Sequence, residues 1–287
     1  MPDSMRDKVV VITGATSGIG QVAAEKLAAM GARVVLIARD KARAESSLAK
    51  LQASGPGLGH TVHYADLSRL REMKRVASDI AAAEPRIDVL ANNAGALFGH
   101  RRVTEDGIEA TFALNHLAYF VLTYGLRERL LASAPSRVVN TSSRAHKRAR
   151  LDFGDLQSAR SYAGFMVYSE SKLCNVLFTR ELARRWAGTG VTVNCFHPGF
   201  VDTRFGSGSG GLFSHLIGIG KLGAHSPEKG AETLVYLASS PEVAGVTGQY
   251  FYKCRPDSMS AEAADDSVAR GLWSESARVS GIPEDWG

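Results

Sequence analysis

Tyr168 and Lys172 stand four residues apart in Tyr168-Ser169-Glu170-Ser171-Lys172, and on a helix that spacing puts both side chains on one face. A free phenol has a pKa of about 10 and is a poor base at neutral pH. An ammonium beside it favours the phenolate. Lowering the phenol by about three units takes roughly 4 kcal/mol of differential stabilisation, which close charges in a closed site can supply. The pair therefore suits a general acid/base. On its own the spacing is weak, because Tyr-x-x-x-Lys recurs by chance on many helices.

A second chemical signal is Thr13-Gly14-Ala15-Thr16-Ser17-Gly18-Ile19-Gly20, which follows a short apolar run. Gly14 permits a tight turn, Gly18 lets backbone amides approach a pyrophosphate, and Gly20 allows a helix to pack closely on a strand. The start of the following helix offers unpaired N–H groups and a positive dipole end to an anion. The spacing is G-x-x-x-G-x-G, not G-x-G-x-x-G, and no G-K-[ST] of a P-loop follows. The plainer alternative is a strand–helix connection without a ligand; its place at the first strand favours a dinucleotide. Ala38 ends the second apolar run and Arg39 follows it. An acidic residue there would accept from a ribose 2′-hydroxyl. A guanidinium instead pairs with a 2′-phosphate, so NADP(H) is expected in preference to NAD(H). Asp40, one step on, is placed to cap the next helix.

These groups must be carried by regular elements, and short apolar runs alternate with longer amphipathic stretches along the chain, the pattern of repeated βα units around a parallel sheet. Strands are expected at 9–13, 33–38, 61–64, 87–91, 137–140, 192–196 and 249–252. Helices are expected from Val22 to Met30 and at 41–51, 70–83, 107–131, 162–186 and 227–237. The fold class is α/β: a single Rossmann-type doubly wound domain over 1–287, with a seven-stranded, mostly parallel sheet and helices on both faces. A C-terminal extension runs near 255–287, and its stretch 265–279, with Trp273, reads as a surface helix edging the site or an oligomer contact.

The 287 residues suffice for one large core, and an apolar fraction of 45% with 22% charged residues is that of a water-soluble globular chain. A net charge of +5 fits a phosphate-bearing cofactor or equally a solvated surface. Cys174, Cys195 and Cys254 are too far apart to suggest a disulfide framework or a metal site, which points to a reducing cytoplasm. No stretch approaches the ~20 apolar residues of a membrane span. No basic stripe interleaved with aromatics suggests nucleic-acid binding.

The glycine turn, Asn92-Asn93-Ala94-Gly95, Val138-Val139-Asn140-Thr141-Ser142-Ser143, the Tyr/Lys pair and Pro198-Gly199 with Thr203 occur in one order. With them the chain resembles the short-chain dehydrogenase/reductase family from Lys8 to Tyr252. The resemblance implies hydride transfer between NADP(H) and an alcohol or carbonyl, with Tyr168 as acid/base. It implies that Ser143 polarises the carbonyl, with Ser142 as the alternative. Lys172 would also bind the nicotinamide ribose, and Asn115 would hold a water against it in a proton relay. Asp66 and Leu67 would lie at the adenine, Asn93, Ala94 and Gly95 beside the cofactor, and Pro198, Gly199, Val201 and Thr203 around the carboxamide. Thr16, Ser17 and Ile19 would join the glycines at the phosphates, although Ser17 is not the basic residue many NADP-dependent members carry there.

Tyr168 follows Ser143 by 25 residues, a longer separation than in the simplest members. With Leu151-Asp152-Phe153, Ser171-Lys172-Leu173-Cys174-Asn175-Val176-Leu177-Phe178 and Val193-Asn194-Cys195-Phe196-His197, it resembles the retinol dehydrogenase-like branch. That implies a lipophilic aldehyde, ketone or alcohol and a small-molecule carbonyl reductase; homodimers or homotetramers are usual in the family. Two features belong to the substrate side. Arg144, His146, Lys147, Arg148 and Arg150 form a basic cluster, more simply a solvated loop. Leu212, Phe213, Leu216, Ile217, Ile219 and Leu222 read as a lid near 204–226. An epimerase or dehydratase on the same fold, or a non-catalytic NADP(H) sensor, are the alternatives.

Overall fold

The computed structural model describes residues 4–199 and 226–287. Val201, Thr203 and the expected lid, save its last residue, lie outside them. Among the described residues eight strands form one sheet in the order β3-β2-β1-β4-β5-β6-β7-β8: β1 Val9–Thr13, β2 Arg33–Ala38, β3 Thr61–Tyr64, β4 Val89–Asn92, β5 Ser136–Thr141, β6 Val191–Phe196, β7 Tyr250–Tyr252 and β8 Arg255–Pro256. All neighbours are parallel except β7 and β8, which pair antiparallel. The eighth strand corrects the expected seven. It follows β7 through a two-residue hairpin in which Lys253 (φ 48°) and Cys254 (φ 59°) both adopt the left-handed region. Such turns ordinarily carry Gly or Asn, and neither stands there to announce the hairpin.

Alternate residues of the central strands feed different faces. Val10 and Ile12 join the core beneath α1 (Gly18–Ala29), whereas Val11 joins the opposite core; Leu36 and Ile37 divide in the same way. Both faces are therefore apolar, as a doubly covered parallel sheet requires. α1, α2 (Lys41–Ser54) and the helix Pro227–Ser239 cover one face, and α3 (Leu70–Ala83) and two long helices cover the other.

The expected helix 107–131 is interrupted. It runs as α4 (Ala110–Phe112), a π-helical turn (Ala113–Leu117) and α5 (Ala118–Ala132). Glu109 sets the start by accepting the Phe112 N–H at 2.8 Å. The next long helix, α6, spans Gly164–Arg185, and Pro227–Ser239 is α7.

The C-terminal extension forms α8 (Ala261–Ala264) and α9 (Asp266–Ser280). Trp273 lies on the inward, buried face of α9. It stacks on Trp286 (4.6 Å between centroids) and meets Phe120 of α5 edge-on at 5.1 Å and Phe178 of α6 at 6.0 Å. Its indole N–H donates to the Glu284 carbonyl at 2.9 Å, so the ring is buried without an orphaned donor. Trp273→Ala is expected to destabilise the fold by about 3–5 kcal/mol, read as a shift in urea-unfolding midpoint. A loss below about 1 kcal/mol would mean that α9 is only loosely docked.

Candidate active site

The sheet order reverses between β1 and β4, since β1 leads outward to β2 while β4 leads to β5. A crevice outside the carboxyl ends of the strands is the usual ligand site of such a sheet. The glycine turn and Asn92-Asn93-Ala94-Gly95 both lie there. Gly14 has φ +66°, and a Cβ on it would fall 2.7 Å from the Ala94 Cα. A Cβ on Gly20 would fall 2.4 Å from both Asn93 Nδ2 and the Gly14 oxygen. Thr13 Oγ1 accepts from the N–H groups of Asn93 and Ala94, each at 2.8 Å, and Asn93 Nδ2 donates to the Thr13 and Gly14 carbonyls. The turn after β1 is thus clamped to the turn after β4. Ser17 takes the N-cap position of α1 without a side-chain cap bond, which leaves the leading N–H groups to other acceptors. Bare backbone at a helix N-terminus, with no Cβ in the way, fits a dinucleotide pyrophosphate.

Arg39 is exposed beyond β2 and lies 3.9 Å from Asp66, whose carboxylate also takes the Ser68 N–H and hydroxyl. Asp40 caps α2 through the Arg43 N–H. Leu67 is buried in the core.

Tyr168 and Lys172 sit on α6, where the Lys172 Nζ is 5.6 Å from the Tyr168 ring centroid. Ser143 lies near enough to Tyr168 to lower its pKa and accepts the Ala145 N–H at the head of a 3-10 turn, Arg144–Arg148. Ser142 is turned away: its hydroxyl donates to the Lys172 carbonyl at 2.8 Å. Of the adjacent serines, Ser143 therefore faces the phenol. Lys172, 2% exposed, donates to the Thr141 carbonyl at 3.1 Å. A Cβ on Gly95 would stand 3.4 Å from its Nζ.

Asn115 lies in the π-helical turn and is fully buried. Its side chain brackets Ala96, accepting from the N–H and donating to the carbonyl, and also donates to Ser171 Oγ. Its own carbonyl accepts from Asn175 Nδ2 at 2.9 Å. The structure thus brings Tyr168, Ser143, Lys172 and Asn115 to one end of the sheet, with the glycine turn and Gly95 beside them. Ser171, Thr141 and Asn175 were passed over in the sequence. Asn175 carried a signal, a lone amide inside the apolar run Leu173–Phe178.

Burial dominates the electrostatics. It pushes the Tyr168 phenol up to about 12, against the Ser143 hydrogen bond that lowers it. It pushes the Lys172 amine down to about 7. The expected lowering of the phenol by its neighbouring ammonium is absent, because the same desolvation that raises the phenol leaves the amine uncharged at the pH where the phenol would ionise. The basic cluster is divided: His146 is buried and bonded to the Ser143 carbonyl, Lys147 pairs with Asp257 at 3.4 Å, and Arg144, Arg148 and Arg150 are exposed. Among the described residues no group of three or more acidic, His or Cys side chains could hold a metal, and no helix is long and apolar enough to cross a membrane.

A family model described as short chain dehydrogenase matches residues 8–209. Retinol dehydrogenase 14 of Mus musculus is 44% identical over 297 residues, covering 98% of this chain and 88% of that protein. Among solved structures, an uncharacterized protein from Mycobacterium paratuberculosis aligns with a TM-score of 0.78 at 31% identity, over 98% of this chain and 96% of that one. A short chain dehydrogenase from Burkholderia cenocepacia in complex with NADP aligns with a TM-score of 0.70 at 25% identity, over 91% and 100%.

The burial of Lys172 has a consequence for stability. Its amine is lowered from 10.5 to about 7, so between those values the unfolded chain binds a proton that the folded chain does not. Stability therefore rises with pH across that window, and below it the fold carries the full cost of a buried ammonium. Lys172→Met removes that cost. Its Tm relative to wild type is expected to be higher at about pH 6 than at about pH 9.5. A pH-independent difference would show that the folded amine titrates like a solvated one.

Proposed function

The chain belongs to the short-chain dehydrogenase/reductase family of oxidoreductases that interconvert alcohols and carbonyls with a nicotinamide dinucleotide, and from that premise we propose that it is an NADP(H)-dependent carbonyl reductase acting on a lipophilic aldehyde or ketone through Tyr168. The observation that carries this reading is the gathering of Tyr168, Ser143 and Lys172 at one end of the sheet, with the Lys172 amine 5.6 Å from the Tyr168 ring and Ser143 the neighbour that lowers the phenol. The bound nicotinamide supplies or accepts the hydride. In reduction Tyr168 donates its proton to the carbonyl oxygen, and Ser143 donates a hydrogen bond to that oxygen as charge develops on it. Lys172 binds the ribose hydroxyls and places positive charge below the phenol. In oxidation the same groups act in reverse. The Thr13–Gly20 turn with Asn93, Ala94 and Gly95 holds the pyrophosphate side, and Asp66 and Leu67 border the adenine. Pro198 and Gly199, with Val201 and Thr203, take the carboxamide.

The preference for NADP(H) rests on Arg39, whose exposed guanidinium has only a loose ion pair with Asp66 at 3.9 Å and is available to a 2′-phosphate. A lipophilic substrate is supported by the retinol dehydrogenase relatives. A reducing, cytoplasmic setting is supported by three unpaired cysteines.

Following NADPH and NADH oxidation with a panel of lipophilic aldehydes and ketones tests the reading. Tyr168→Phe is expected to lower kcat by roughly 10²–10⁴-fold while NADPH binding, read by fluorescence, persists. Turnover by Tyr168→Phe at the wild-type rate would remove the acid/base assignment. Arg39→Ala is expected to weaken NADPH by about tenfold and to leave NADH unchanged; equal effects on both would end the 2′-phosphate role.

A further inference from the structure

Beneath Lys172 lies a row of buried polar groups that the proposed reaction does not use. Asn175, one turn below on α6 and fully buried, donates from Nδ2 to the Asn115 carbonyl at 2.9 Å and the Thr141 carbonyl at 3.0 Å. The second of these oxygens is the one that receives the Lys172 amine. The Asn175 Oδ1 and the Nδ1 of His116 are both buried and make no hydrogen bond of ordinary geometry, although the Asn175 amide is near enough to the His116 ring to raise its pKa against burial. The other ring nitrogen, Nε2, lies 2.8 Å from Ser276 Oγ on α9. Burial keeps His116 neutral, with its pKa pushed down to about 3, so the ring carries one proton. Placed on Nδ1, that proton is on the side of the Asn175 oxygen, and Nε2 then shares the Ser276 hydroxyl with the Leu272 carbonyl, 2.7 Å from Ser276 Oγ. This tautomer sets a donor toward a buried acceptor. The opposite tautomer leaves two acceptors facing each other.

Resting on the oxidoreductase reading above, we propose that Asn175, oriented by His116 and Ser276, is a positioning residue that fixes the Asn115 and Thr141 carbonyls and thereby aims the Lys172 amine at Tyr168 and the cofactor. Asn175 donates to the two carbonyls, its oxygen neighbours the His116 ring, and the far side of that ring meets Ser276, whose hydroxyl also reaches the Leu272 carbonyl. Such a row is cooperative in a low dielectric. It ties the C-terminal helix to the catalytic lysine through the π-helical turn that holds both Asn115 and His116.

The positive end of the Asn175 amide shares the Thr141 oxygen with Lys172. Removing it leaves the Thr141 carbonyl without its second donor beside the amine, which favours the ammonium. The titratable groups facing Lys172 are Tyr168 on its own helix and Tyr119 of α5, whose ring centroid is 5.8 Å from Nζ. No carboxylate among the described residues influences it.

Asn175→Leu keeps the volume and removes the donors. It is expected to lower kcat about tenfold or more with KM changed less than about threefold, and to move the Lys172 pKa upward by about one unit. The pKa is read by pH-dependent acetic anhydride labelling of the Lys172 peptide with mass spectrometry, which requires no turnover and so separates failure of this role from failure of the oxidoreductase reading. Ser276→Ala, at the far end of the row, serves if Asn175→Leu does not fold; a smaller change in the same direction is expected. Unchanged labelling and unchanged kcat in folded variants would overturn the proposal, as would a fall in kcat matched only by a fall in Tm with the lysine titration unmoved.

Discussion

A primary amine buried at the carboxyl edge of the sheet sets the terms for everything around it. An ammonium cannot be left there without acceptors, and Lys172 meets the need with backbone. β5 stops at Thr141, so the Thr141 carbonyl lies at the strand end, where the amine reaches it at 3.1 Å. The Ser142 hydroxyl, bonded to the Lys172 carbonyl, fixes α6 against the same strand end. Gly95 closes the other side because it presents no Cβ. A helix, two strand ends and a glycine are thus fixed relative to one another by the requirement to satisfy one nitrogen.

The scaffold meets that requirement by separating its apolar and polar work. Residues facing the two cores alternate along β1, β2 and β5, and polar groups appear where strands end, at Thr13, Asn92 and Thr141. Asn92 and Asn140 pair across neighbouring strands at 2.9 Å, and Asn140 donates onward to Thr179 of α6. These buried amides discriminate between registers, since a one-residue slip would face them into an apolar core. The aromatic cluster of Trp273, Trp286, Phe120 and Phe178 lies at the outer side of α5 and α6 and supplies burial. His116 and Ser276 join that layer to the polar one.

What the sequence made legible was whatever depends on residue type at fixed spacing. The glycine turn, the Tyr168/Lys172 pair and the βα rhythm are of this kind, and they located the parallel sheet and its loaded end. What it hid depends on three-dimensional neighbours. The β7–β8 hairpin uses Lys253 and Cys254 at positive φ, where a reader looks for glycine. The interruption at Ala113–Leu117 has no residue that marks it, and the partners that hold Asn115 and His116 there, Ala96, Asn175 and Ser276, are distant in sequence. Trp273 lies in an amphipathic stretch that gave no hint of the partners it would find on α5 and α6. The protonation order of the site was also hidden, since proximity in sequence reports the ammonium and not the desolvation that outweighs it.

That protonation order bears on how the proposed reaction is divided between protein and cofactor. With the phenol at about 12 and the amine at about 7, the chain's own groups keep Tyr168 protonated across the neutral range. A protonated tyrosine is already the acid that carbonyl reduction needs. Alcohol oxidation needs the phenolate, and the protein alone does not provide it. The two redox forms of nicotinamide differ by one positive charge, which the oxidised form carries. On the proposed reading, a positive charge held beside Tyr168 by the site when the oxidised form is bound would lower the phenol, and without that charge Tyr168 would keep its proton. On this account a tyrosine buried deeply enough to resist ionisation is compatible with a reversible enzyme, because the charge that changes its state arrives with the molecule whose oxidation state sets the direction.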